Sequence, residues 1–354
     1  MSRERIGKCV RTVTCAAIIA GAMTIGFGRD AAAQSVESFY KGKNINVVIG
    51  YAPGGLYDIT ARLISRHMGR AIPGQPTMIP QNMASSSSIR AILHLYNVAP
   101  KDGTALGVVA RSYPIDPLLT PMEQKYDALK FNPIGSTSSE VSAAVTWYTS
   151  SVKTFDDLFT REVTTGSTGM TDDTGRFPLL AKNLTGAKIK IVTGYPGGND
   201  VTMAMEKGEV DARFGWSWGS IKSRSKSWLD EKKINIILQM AIKKAPDLPN
   251  TPFIMDYAKT ELDKQALELL FAPQAFAWPL IAPPGVPADR VAALRKAFDD
   301  TMKDPAFLAD AKKLTVEIEP MSGIEMDTLI KHILSFDHKA VERVTELTTL
   351  PAAN

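Results

Sequence analysis

"INVVIGYAPGGLYDITARL", residues 45–63, decides the reading of the fold. An apolar run ends in a Pro-Gly-Gly turn. A helix-spaced pattern follows, in which Ile59, Leu63, Ile64 and Met68 share one face. Strand, tight turn and helix in that order are the repeating unit of an α/β sheet. The unit recurs as "IKIVTGYPGGNDVTMAM", residues 189–205, whose Gly194 stands 144 residues beyond Gly50. Two such turns predict two α/β lobes facing one ligand.

The rest of the chain supports two lobes. Further strand-like runs are "TMIPQN", "ALGVVA", "AAVTWY", "EVTTGS", "VDARFGW", "INIILQM" and "FAWPLIA". Amphipathic helices lie between them. A late one opens near Pro287 and Asp289 and places Val291, Leu294, Phe298 and Met302 on one face. The alternation predicts mainly parallel sheets. Proline-rich breaks at "VARSYPIDPLLTP" and "AIKKAPDLPNTPF" are read as the crossings between lobes. The expected division is a discontinuous first lobe, residues 34–110 plus 234–354, and a second lobe, residues 111–233. About 320 residues suit two such cores better than one.

Residues 1–33 read as a secretory signal peptide. Arg3, Arg5, Lys8 and Arg11 precede the apolar run "TVTCAAIIAGAMTIGFG", and "AAAQ" supplies small residues for cleavage between Ala33 and Gln34. Cys15 precedes most of the apolar run, which argues against a lipoprotein. Both cysteines, Cys9 and Cys15, lie in this segment, so the exported chain uses no disulfide. The segment also holds most of the excess charge, and its removal takes the formal +4 to about +1. A nucleic-acid partner loses its support. No later run reaches the roughly 18 apolar residues of a membrane span. The expectation is a soluble, periplasmic monomer.

The turns themselves suggest chemistry. A helix start leaves backbone N–H groups unpaired and carries partial positive charge. Glycines let a carboxylate or phosphate approach that backbone. Gly54 and Gly55 with Asp58, and Gly197 and Gly198 with Asp200, each fit this arrangement. The alternative is that each is only a tight strand-to-helix connection. Neither is a dinucleotide fingerprint or a P-loop. The first turn contains no Lys or Arg, so its anion is expected on the N–H groups of Gly54 and Gly55, with Asp58 capping the helix behind them. Two hydroxyl-rich loops share the strand-to-helix position: "GSTGMTDDTG", and "MASSSSIRA" with Ser86 and Ser87.

One motif points to a different activity. "GWSWG", residues 215–219, matches the G-x-S-x-G nucleophile elbow, with Asp256 and His332 or His338 downstream. A secreted serine hydrolase is therefore the alternative reading. The charges in "EVDARF" and the bulky Trp216 and Trp218 count against it. In the other reading Trp216 walls a cleft. The four histidines show no metal spacing, no cofactor is implied, and His67 is read as solvated among Arg62, Arg66 and Arg70. The cluster "SIKSRSKSW" is likewise read as a solvated helix face.

The order of these blocks resembles a family: the periplasmic receptors of tripartite tricarboxylate transporters, the Bug family. The resemblance runs through "INVVIGYAPGGLYDITARLISRHM", "NVAPKDGTALGVV", "GSTG", "GYPGGNDVTMAMEKGEVDARF" and "LIAPPGVPADRVAALRKAFDDTMKDPAFLADAKKL". It implies a Venus-flytrap protein that binds a small organic acid and delivers it, through a transient contact, to a membrane permease. It implies ligand contacts at Tyr51, Ala52, Pro53, Gly54, Gly55 and Asp58, with Tyr57 beside them. It also implies contacts at Ser167, Thr168 and Gly169, and at Tyr195, Gly197, Gly198 and Asn199. Two departures stand out. "MASSSS" replaces a Pro-Gly-Ala-Gly-Gly-like segment, and Asp172 and Asp173 follow "GSTG". Acids there repel a second carboxylate or favour an amino group.

Overall fold

The computed structural model describes residues 35–85, 88–120 and 126–350. The expected signal peptide lies outside the described residues, as do Ser86 and Ser87.

Among the described residues, eleven strands form two sheets. In chain order they are β1 (Asn44–Ile49), β2 (Thr77–Asn82), β3 (Ala105–Val108), β4 (Asn132–Ser136), β5 (Ser142–Trp147), β6 (Val163–Ser167), β7 (Ile189–Thr193), β8 (Ala212–Ser217), β9 (Ile234–Met240), β10 (Pro279–Ala282) and β11 (Met321–Ser322). The first sheet runs β11-β4-β10-β3-β1-β2, and the second runs β7-β6-β8-β5-β9. In β1, Ile45, Val47, Val48 and Ile49 are all buried, as expected of a strand covered on both faces. The helix Leu56–His67 packs on β1 and β2. The late helix, Ala288–Thr301, buries Val291, Leu294 and Phe298 in the same core, with Met302 just past its end.

The sheets are mixed, not mainly parallel. β2, β1 and β3 are parallel, but β10 runs antiparallel to β3 and to β4. The second sheet repeats the division: β7, β6 and β8 are parallel, and β5 is antiparallel to β8 and β9. The antiparallel strands adjoin the places where the chain changes sheet. β4 and β5 flank one crossing; β9 and β10 flank the other.

This moves the boundaries from those expected. β4, inside the expected second lobe, pairs in the first sheet, and β9, inside the expected first lobe, pairs in the second. The first crossing is the short segment 137–141, and the break "VARSYPIDPLLTP" instead forms turns and the helix Asp116–Leu119. The second crossing spans 241–278 and begins with the proline-rich stretch read as a break. The crossings bond to each other: Glu140 N–H donates to the Gln274 carbonyl at 2.9 Å, and Ala277 N–H to the Ser138 carbonyl at 3.0 Å. They link the two sheets side by side.

His67 is buried, not solvated. It faces the helix Pro305–Lys313, where Nε2 meets Asp310 Oδ2 at 2.9 Å and its ring packs edge-on against Phe307, while Nδ1 stays 3.0 Å from Arg70 Nη2.

The second crossing is anchored by its helix Glu261–Phe271, which opens with a reciprocal Thr260–Asp263 capping box. Asp263 also receives Arg343 of the helix His338–Thr348, with Nε and Nη2 both at 2.9 Å from Oδ1. Burial opposes ionisation of Asp263, but the hydrogen bonds from Arg343 and Thr260 outweigh it and hold the carboxyl below its usual range. Such a group stabilises the fold above its unfolded pKa of about 4, and the contribution is lost as pH falls through the folded value. Asp263→Asn is expected to cost about 1–2 kcal/mol in urea unfolding at pH 7. The difference from wild type should shrink as the pH is taken below about 4. A difference independent of pH would remove Arg343 from the account.

Candidate functional site

The two Pro-Gly-Gly turns face each other across a cleft between the sheets. A Cβ at Gly54 would stand 3.6 Å from Asn199 Nδ2, and one at Gly197 would stand 3.8 Å from Ala52 Cβ. The cleft encloses about 1060 Å³, its solvent mouth included.

The first turn is braced from behind by Asp58. Gly54, at φ +92°, donates its N–H to Asp58 Oδ2 at 3.0 Å. Asp58 Oδ1 accepts from Arg62 Nε and from Asn82 Nδ2, each at 2.9 Å. Asn82 Nδ2 also donates to the Tyr51 carbonyl. The Gly54 N–H is therefore already spent, contrary to the expectation that it receives the anion. The helix begins one residue later, with Gly55 at the N-cap. Tyr51 stacks on Tyr57, centroids 4.2 Å apart, and Tyr57 meets Trp278 edge-on at 4.7 Å. These rings form the apolar wall.

The second turn carries a cation. Along β8, Arg213, Gly215 and Ser217 alternate toward the cavity, and all three line it. Arg213 Nη1 donates to the Gly198 carbonyl at 2.9 Å, and the guanidinium lies over the Trp216 ring at 4.6 Å. Its Nε is buried without a partner, and it has no ion pair among the described residues. Burial pushes its pKa down to about 9, with Asp172 and Glu140 pulling it back, so it remains a cation at neutral pH. Gly198 makes room for it: a Cβ there would meet Arg213 Nη2 at 2.2 Å.

A second arginine is already neutralised. Arg111 Nη1 pairs with Glu140 Oε1 at 2.8 Å, and Nη2 pairs with Asp173 and donates to Ser142 Oγ. Burial would lower the Arg111 pKa, but Asp173 and Glu140 raise it further. Glu140 itself is raised by burial, against the pull of Arg111. Asp172 caps the helix Asp173–Thr185, accepting from Thr174 N–H at 3.0 Å and from the hydroxyls of Thr174 and Thr168. Burial raises its pKa more than these bonds lower it.

Of the residues singled out in the sequence as ligand contacts, Tyr51, Ala52, Pro53, Gly55, Tyr57, Thr168, Gly197, Gly198, Asn199 and Trp216 line this cavity, and Asp172, Asp173, Asp200 and Ser217 line it too. Gly54 and Asp58 shape it from behind. Ser167 is fully buried and bonds within its own loop, to Gly169 and Thr174. Gly169 and Tyr195 stand outside the lining. Sequence reasoning missed Arg213, Arg111, Glu140 and Trp278. The one signal for Arg213 was a charge inside an otherwise apolar strand.

Ser217 is a helix cap. Its Oγ accepts from Ser220 N–H at 3.1 Å at the start of the helix Trp218–Arg224. It bonds no histidine: His338 pairs with Glu342, and the His332 ring packs on Phe336. The hydrolase reading finds no support here. The basic cluster is also more than a solvated face. Arg224 donates to the Gly54 carbonyl at 3.1 Å, and Lys222 pairs with Glu317 at 2.7 Å, so both reach the first lobe.

Neither a family model nor a curated protein matches the chain. Solved structures do. Rhodopseudomonas palustris Rpa4515 with adipate is 18% identical, covers 87% of this chain and 97% of its own, and gives a TM-score of 0.67. The periplasmic binding protein BugD is 16% identical, with the same coverage and a TM-score of 0.67. MatC from R. palustris with bound malate is 16% identical, covers 87% of this chain and 99% of its own, and gives 0.66. The chain thus has the two-lobed fold of periplasmic solute-binding proteins.

Gly198→Ala tests the Arg213 seat. Within a helix, alanine usually stabilises by up to about 1 kcal/mol relative to glycine. Here it should lower the melting temperature, because the guanidinium must leave the Gly198 carbonyl. Gly55→Ala should leave the fold nearly unchanged, since its Cβ meets nothing within 4 Å. A stabilised Gly198→Ala would mean that Arg213 moves aside freely.

Proposed function

We propose that this protein is an extracytoplasmic solute receptor that closes its two lobes on a small organic acid. More narrowly, we assign it to the receptors of tripartite tricarboxylate-type transporters. In that role residues 1–33 direct export to the periplasm, and the loaded, monomeric receptor makes a transient contact with a membrane permease. The single observation that carries the binding role is Arg213. It is a cation held without an ion pair at the foot of a glycine turn, inside a cleft between lobes. The ligands printed for two similar structures, adipate and malate, are carboxylic acids. A carboxylate beside Arg213 would also meet the N-terminus of the helix Gly198–Glu206, which favours negative charge. Tyr51 and Trp278 would cover the carbon skeleton.

The test is a thermal-shift screen of organic acids, followed by calorimetry on any that bind. A hydrogen-bonded charge pair contributes about 1.5–3 kcal/mol, so Arg213→Gln should weaken binding by about tenfold to a hundredfold without unfolding the protein. Arg213→Lys should restore part of the loss. Gly55→Val, which puts bulk at the cavity wall, should also weaken binding. Undiminished affinity in Arg213→Gln would sink the assigned contact.

A further inference from the structure

We propose that the solute carries a protonated nitrogen as well as a carboxylate, that is, an amino acid or a close zwitterionic relative. This rests on the receptor reading above and narrows its substrate class.

Two orphaned atoms of opposite character belong to residues that line the same cavity. Arg213 Nε is a buried donor without an acceptor, and Glu140 Oε2 is a buried acceptor without a donor. Glu140 Oε1 is occupied by Arg111 and by the Ser142 hydroxyl, so Oε2 is the half of the carboxyl left over. Buried polar atoms are nearly always partnered, and an unpartnered one calls for an explanation. A simple carboxylate answers the arginine only. An ammonium group in the same molecule answers Glu140 as well.

The charge count agrees. The cations along the cavity are Arg111 and Arg213, and the carboxylates are Glu140, Asp172, Asp173 and Asp200. Arg111 is consumed by Glu140 and Asp173. A dicarboxylate would bring two negative charges to one available cation, with Asp172 and Glu140 nearby. A zwitterion leaves the net charge of the cleft unchanged and puts each end beside its opposite. In a partly desolvated cleft such like-charge contacts are costly. Glu140 also lies in the 137–141 crossing, so the ammonium end would sit at that crossing.

The experiment is calorimetry and thermal shift on the purified protein with matched pairs: L-aspartate and succinate, L-glutamate and glutarate, L-phenylalanine and 3-phenylpropionate, 4-aminobutyrate and butyrate. At least one amino acid should bind tenfold or more tightly than its partner lacking nitrogen. Glu140→Gln should bring that ratio toward one. If this variant does not fold, the wild-type ratios alone decide. A nitrogen-free acid that binds as tightly as its amino acid, or more tightly, overturns this inference and leaves the receptor for organic acids standing. Failure of both series to bind overturns the receptor reading and this inference together.

Discussion

The cleft depends on the Arg111 guanidinium, held between Glu140 and Asp173. The three residues come from different parts of the molecule. Arg111 follows β3 of the first sheet, Glu140 lies in the short crossing, and Asp173 starts a helix of the second lobe. One buried cation therefore ties both lobes to the short crossing. Removing it would leave two carboxylates uncompensated, a loss that typically costs about 3–5 kcal/mol in a protein interior. Its second effect is electrostatic. With Arg111 consumed, Arg213 is the cavity-lining cation without an ion pair among the described residues.

The two Pro-Gly-Gly turns read alike and are used differently. In the first, the acid three residues past the second glycine folds back on the turn, so Asp58 takes the Gly54 N–H. In the second, the acid stands two residues past the second glycine. Asp200 takes no such bond and lines the cavity instead, while the Gly198 carbonyl holds Arg213. One turn is a rigid wall. The other is a seat for charge. A shift of one residue in the acid's position accompanies the difference.

Much of the fold was legible because it is local. Each apolar run read as a strand forms one, from "NVVIGY" to "FAWPLIA". β4 was missed because "NPIGS" holds a proline and a glycine and lacks the apolar alternation of a strand. The antiparallel halves were missed because strand direction at a crossing depends on which sheet receives the chain, which no local pattern records. The same limit applies to the site. Most of the residues named from the two glycine turns line the cavity, since a glycine turn announces itself. Arg111, Glu140 and Arg213 lie far apart in the chain and acquire meaning only beside one another. His67 was misjudged for a similar reason: its partner, Asp310, is 243 residues away.

The contacts of Lys222 and Arg224 with the first lobe respond to salt in a way the buried pairs do not. Both sit at the exposed rim, where a pair such as Lys222–Glu317 contributes about 0–1 kcal/mol and is screened by salt. Contacts this weak add little to the hold between the lobes beside the buried Arg111–Asp173 pair. What they add across the cleft therefore falls as ionic strength rises, while the buried Arg111 pairs are screened much less.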